Sequence, residues 1–92
     1  MMKRARKRID YSKSFDKQLR KAPFKIKIAF RTRLKLFLQD LFSSQLLNHA
    51  LVGKYLGFRS INITGDWRVV YKEEKNVIIF LLLGTHSQLY KY

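Results

Sequence analysis

Four side chains in this 92-residue sequence suit proton transfer by type and position: His49, Asp66, His86 and Tyr90. His49 falls in a loop, Asp66 in a Thr-Gly-Asp turn, and His86 in Gly-Thr-His straight after the apolar run Val77 to Leu83. Tyr90 follows in the tail "GTHSQLYKY". An unperturbed imidazole titrates near pH ~6.5, so one ring can give or take a proton close to neutrality. Three cations, Lys54, Arg59 and Arg68, are interspersed with them. An acid–base pair among fixed positive charges is a set of groups suited to a phosphodiester. Each member also has a plainer use: Asp66 as a turn residue, His86 as a strand-end cap, His49 as loop surface, Tyr90 as core. Their predicted convergence, together with the charge, favours a site.

Other chemistries lack their signatures. There is no phosphate-binding G-x-x-x-x-G-K-[ST] loop, no dinucleotide glycine fingerprint, no H-E-x-x-H, and no elbow around a nucleophilic serine. Cysteine is absent, which removes disulfides and thiolate metal sites and fits a reducing cytoplasm. Two histidines without a carboxylate cluster predict no metal site, and no cofactor is expected.

The elements that must position these residues follow from periodicity. A strand is predicted over about Arg6 to Tyr11, with Ser12 or Ser14 capping a short helix, "SFDKQLRKA". Pro23 opens a longer helix, "PFKIKIAFRTRLKLFLQDLF". Its expected apolar stripe is Phe24, Ile28, Leu34, Leu38 and Leu41, broadened by Ile26, Phe30 and Phe37. "SSQLLNHALVG" reads as a loop. From Lys54 the pattern changes to an antiparallel meander: "KYLGFRSINI", a "TGD" turn, "WRVVYKE", an "EKN" turn and "NVIIFLLL". The tail is a single helical turn at most. The order β-α-α-β-β-β predicts an α+β domain with two helices packed on a twisted, mainly antiparallel sheet. In such a meander the start of the second strand meets the end of the third. Asp66, Arg68 and His86 are therefore expected at one rim, with Lys54 and Arg59 on the neighbouring strand.

The chain has the size of one domain, with a basic tail at about residues 1–5. The opening residues are charged with no apolar stretch behind them, and no apolar run approaches the about 20 residues of a membrane helix, so a soluble chain is expected. Net charge is +14, and it is uneven. Residues 1–35 carry 14 basic and 2 acidic side chains, against 6 and 4 in residues 36–92. This asymmetry favours a polyanionic or acidic partner.

The stretch "NHALVGKYLGFRSINITGDWRVVYK", followed by "LLLGTHSQLY", resembles the RelE/ParE superfamily of bacterial toxins, in particular its YafQ-like mRNA interferase branch. The elements H-x-L-x-G, D-W-x-x-x-Y and G-T-H-x-x-L fall in family order over about residues 46–91. The resemblance implies ribosome-dependent cleavage of mRNA and neutralisation by a cognate antitoxin. It places His49, Asp66 and His86 on active-site positions, Trp67 beside the aspartate as a base-stacking group, and Tyr90 on a catalytic aromatic. Two positions depart from the family: Leu82 stands where an arginine is usual, and Asn62 where a histidine is common. Arg68 matches an arginine that the RelE branch uses on the scissile phosphate.

The implied mechanism needs no metal. His86 is the acid, Asp66 or His49 the base, and Arg68, Arg59 and Lys54 the phosphate contacts. Two alternatives remain open. One is a ParE-like inhibitor of DNA gyrase that cuts no RNA. The other is a basic nucleic-acid-binding module without catalysis.

Overall fold

The computed structural model describes residues 8–90. The expected basic tail and the Arg6 start of the first strand lie outside the described residues. The chain forms β1 (Arg8–Tyr11), α1 (Lys13–Lys21), α2 (Phe24–Gln39), β2 (His49–Ala50), β3 (Arg59–Thr64), β4 (Trp67–Glu73), β5 (Val77–Thr85) and α3 (His86–Tyr90). The five strands make one sheet in the order β1-β5-β4-β3-β2. All pairings are antiparallel except β1 with β5, which is parallel. Among the described residues no helix is long and apolar enough to cross a membrane.

Ser12 sets the first helix. Its Oγ accepts from the Phe15 N–H at 3.0 Å and donates to the Leu81 carbonyl at 2.8 Å. One hydroxyl thus caps α1 and ties it to β5; a cap of this kind contributes about 1 kcal/mol. Helices α1 and α2 cover one face of the sheet. Phe15, Phe30, Phe37, Tyr71 and Phe80 meet there, with ring centroids 5.2–6.1 Å apart in tilted and edge-on pairs.

Two expectations need correction. The stripe of α2 that faces the sheet is Ile26, Phe30 and Phe37, continued by Leu41. Phe24 is 76% and Ile28 48% exposed. The helix carries two apolar stripes of helical spacing, and only one can face the sheet. The alternating stretch from Lys54 is also not all strand. Gly53–Tyr55 is a 3₁₀ turn with Gly53 at φ +67°, a value that suits glycine, and β3 begins at Arg59. Lys54 therefore lies in the connection between β2 and β3 instead of on a strand of the sheet.

Candidate active site

Alternation along the strands assigns the two faces of the sheet. Ile61 and Ile63 of β3, and Val69 and Tyr71 of β4, pack towards the helices. Ser60 and Asn62, and Arg68 and Val70, point the other way. On this second face α3 and the segment after β2 close over the strands. Leu51, Val70 and Leu89 are buried there, with Tyr55, Phe58, Leu82 and Tyr90 packed around them. The Tyr55 hydroxyl donates to the Leu89 carbonyl at 2.7 Å and so holds the segment onto α3. Beside this cluster opens a cleft of about 490 Å³, lined by His49, Ser60, Arg68, His86 and Tyr90, with Leu51 and Val52 as its apolar wall.

Each polar group has a fixed setting. His49 lies 2.7 Å through Nδ1 from the carbonyl of Leu47. A carbonyl only accepts, so Nδ1 carries the hydrogen and Nε2 of the neutral ring is left as an acceptor. Leu47 is left-handed (φ 48°, ψ 42°), a conformation costing a non-glycine residue roughly 1–2 kcal/mol. Strain at the residue that orients a site histidine fits a functional constraint. Asn48, between them, donates to the Leu41 carbonyl and to the Tyr71 hydroxyl, both at 2.8 Å, and accepts from Arg59 Nε at 2.8 Å.

Arg68 donates through Nη1 to Asn62 Oδ1 at 2.7 Å, to the Gly65 carbonyl at 2.9 Å and to the Trp67 carbonyl at 3.2 Å. These bonds leave Nη2 and Nε of the guanidinium fork for a ligand. The His86 N–H donates to the Asp66 carbonyl at 2.9 Å, and its ring lies 4.8 Å from that of Tyr90 at a tilt of 54°.

The cleft thus gathers His49, Arg68, His86 and Tyr90. The other expected residues stand elsewhere. Asp66 meets His86 through its backbone, but its exposed side chain does not line the cleft. Arg59 shares the helix-side parity of Ile61; it bonds Asn48 and lies 5.4 Å over the Phe42 ring. Trp67 is on the helix side too, packed against the main core, which removes it as a base-stacking surface in this cleft. Lys54 lies over the Tyr55 ring, 5.2 Å from its centroid. Leu82 is opposite Val70 and packs in the cluster around it. Sequence reasoning missed Ser60 and Asn48. Period two counted back from Asn62 brings Ser60 onto the cleft face; nothing local marks Asn48.

Residues 7–91 match the sequence model of a family described as the bacterial toxin of type II toxin-antitoxin system, YafQ. The chain belongs to the YafQ toxin family. The YafQ match includes every residue of the cleft. Solved structures agree. The chain is similar to the Escherichia coli DinJ–YafQ toxin–antitoxin complex, at 22% identity and a TM-score of 0.77, over 94% of this chain and 99% of that one. It is 31% identical to a conserved hypothetical protein of Helicobacter pylori solved in solution, at a TM-score of 0.64, covering 90% and 98%. A YoeB/ParE toxin from Agrobacterium tumefaciens shares the fold at 14% identity and a TM-score of 0.70, covering 86% and 98%. Comparison with curated protein sequences gave no match.

Proposed function

We propose that this YafQ-family toxin is a ribosome-dependent mRNA endoribonuclease acting in the cytoplasm. The observation that carries the reading is the pair of imidazoles, His49 and His86, in one cleft with a half-engaged guanidinium. His49 Nε2, the acceptor nitrogen of the neutral ring whose Nδ1–H bonds the Leu47 carbonyl, takes the proton of an RNA 2′-hydroxyl. The 2′-oxygen attacks the adjacent phosphorus and the bond from phosphorus to the 5′-oxygen breaks. His86 gives its proton to that leaving oxygen, yielding a 2′,3′-cyclic phosphate and a 5′-hydroxyl. Arg68 offsets the charge that builds on the phosphate. Tyr90, against the His86 ring, restricts its orientation and offers a face to a base. Of the two bases the sequence allowed, His49 lines the cleft and Asp66 does not.

The test is cleavage of mRNA on translating ribosomes, with the cut ends mapped. Wild type cuts, and His49→Ala and His86→Ala each lose about 10²-fold or more. Intact mRNA with a DNA-damage response would instead support gyrase inhibition. Intact mRNA with simple RNA binding would support a non-catalytic module.

The partner in this reading is a cognate antitoxin, by analogy with the E. coli YafQ bound to DinJ. A groove of about 350 Å³ between α1 and α2 supports it. Its floor is Leu19, Phe30 and Leu34, and its rim is Arg20, Lys27 and Arg31. Such a groove fits an acidic segment with an apolar face. Arg20→Glu with Arg31→Glu is expected to weaken co-purification with the antitoxin, and unchanged capture would count against this groove.

A further inference from the structure

Ser60 is the one buried polar residue among the described residues whose side-chain oxygen has no hydrogen-bond partner. Its relative exposure is 0%, and it contributes to the lining of the cleft. A buried hydroxyl left unpaired costs about 1–3 kcal/mol. Two of the neighbouring polar groups on this face are already engaged, Asn62 with Arg68 and His49 Nδ1 with Leu47. Ser60 stands directly across from His49 in the β2–β3 register and across from Val70 in the β3–β4 register. Cross-strand partners share a face, so the hydroxyl lies at the floor of the cleft beside the His49 side chain. The hydroxyl itself has no exposed surface, and His49, exposed and on an edge strand of two residues, is the neighbour whose side chain must turn aside for a ligand to reach it.

We infer that Ser60 is a substrate-contacting residue, whose Oγ–H donates to a non-bridging oxygen of the RNA phosphate held by Arg68. The inference rests on the nuclease reading above and adds to it a neutral donor that no motif marks. The chemistry is directional. Arg68 supplies charge from β4, with Nη2 and Nε unspent. Ser60 supplies a short, fixed O–H from β3, between the base and the cation. A donor without a partner elsewhere in the protein needs no intramolecular bond broken before it serves, which favours preorganised stabilisation.

The sign of the stability change separates this role from a structural one. If Ser60 has no partner within the protein, Ser60→Ala removes a buried orphan and leaves the melting temperature unchanged or higher. If it holds the fold together, the melting temperature falls. Cleavage of ribosome-bound mRNA by Ser60→Ala is expected to lose about 10–100-fold in kcat, with KM within about twofold of wild type. Wild-type cleavage matched by an equally active Ser60→Ala protein overturns the Ser60 role and leaves the nuclease reading standing. A lower melting temperature for Ser60→Ala likewise overturns it. Absence of cleavage by wild type on translating ribosomes overturns both.

Discussion

Arg68 and Asn62 stand opposite each other in the β3–β4 register, and Arg68 Nη1 donates to Asn62 Oδ1 at 2.7 Å. Carbonyls of the turn that joins the two strands, and of Trp67, share the same nitrogen. The guanidinium is thus anchored at one corner with its other donors left for the cleft. Asn62, at a position where the resemblance to YafQ-like sequences implies a histidine, here orients a cation through its amide oxygen.

From this anchoring, Arg68→Ala is expected to cut ribosome-dependent cleavage by about 10²–10³-fold. Arg68→Lys should not restore it, because a point charge lacks the planar fork. Asn62→Ala should fall between the two. Single-turnover cleavage with equal amounts of folded protein checks all three, and a fully active Arg68→Lys would contradict the geometric role.

Asn48 joins three parts of the molecule: the end of α2 through the Leu41 carbonyl, the core through Tyr71, and the edge of β3 through Arg59. Asn48→Ala should destabilise the protein by about 1–3 kcal/mol, through buried partners left unpaired. It should also lower cleavage beyond the fraction unfolded, because His49 is the next residue. Urea unfolding beside a cleavage assay measures both.

Leu82 packs with Val70, Leu51 and Leu89 on the cleft face of β5. An arginine there would drive a guanidinium into an apolar cluster. Leu82→Arg is expected to cost about 1–3 kcal/mol and to bring no gain in rate. Thermal melting and cleavage of the same preparation decide it, and a stable, faster variant would show that this position still accepts a phosphate contact.

Burial pushes the Tyr71 phenol above its usual value, with the Asn48 hydrogen bond and nearby Arg59 partly opposing. A raised folded value means that the neutral form is favoured in the fold. Its stabilisation is complete below about pH 10, where the unfolded phenol is also neutral, and is lost as pH rises through the folded value. Melting temperature should therefore fall at strongly alkaline pH. The fall should be smaller in Tyr71→Phe, although that variant starts lower for want of the Asn48 bond. Parallel melts from neutral to alkaline pH provide the comparison.

The meander and the meeting of Asp66 with His86 were legible because antiparallel neighbours put a strand's start beside the next strand's end. Which face a side chain takes was legible too, though a count of charges does not reveal it. Arg59 keeps step with Ile61 and Ile63, and Trp67 with Val69 and Tyr71, so parity alone sends both to the helices. The choice between the two stripes of α2 was not legible. Phe24 and Ile28 have the same spacing as Ile26 and Phe30, and only docking on the sheet distinguishes them. Ser60 and Asn48 lay hidden for another reason: a hydroxyl or an amide acquires its meaning from partners made, or left unmade, by tertiary contact.

The parallel seam between β1 and β5 has a kinetic side. The Ser12–Leu81 bond spans 69 residues of sequence, and β1 has no other strand partner in the sheet. Closing so large a loop is entropically slow, whereas the turns between β3, β4 and β5 bring neighbours together at once. Folding is thus expected to nucleate in the meander, with the early-synthesised strand and its helices docking afterwards. A nascent chain that has not yet made β5 lacks both Phe80, on which five other aromatic rings converge, and the histidine that follows the strand. A partly made chain therefore has neither the closed aromatic core nor the full cleft lining, and both arrive together with the completed sheet.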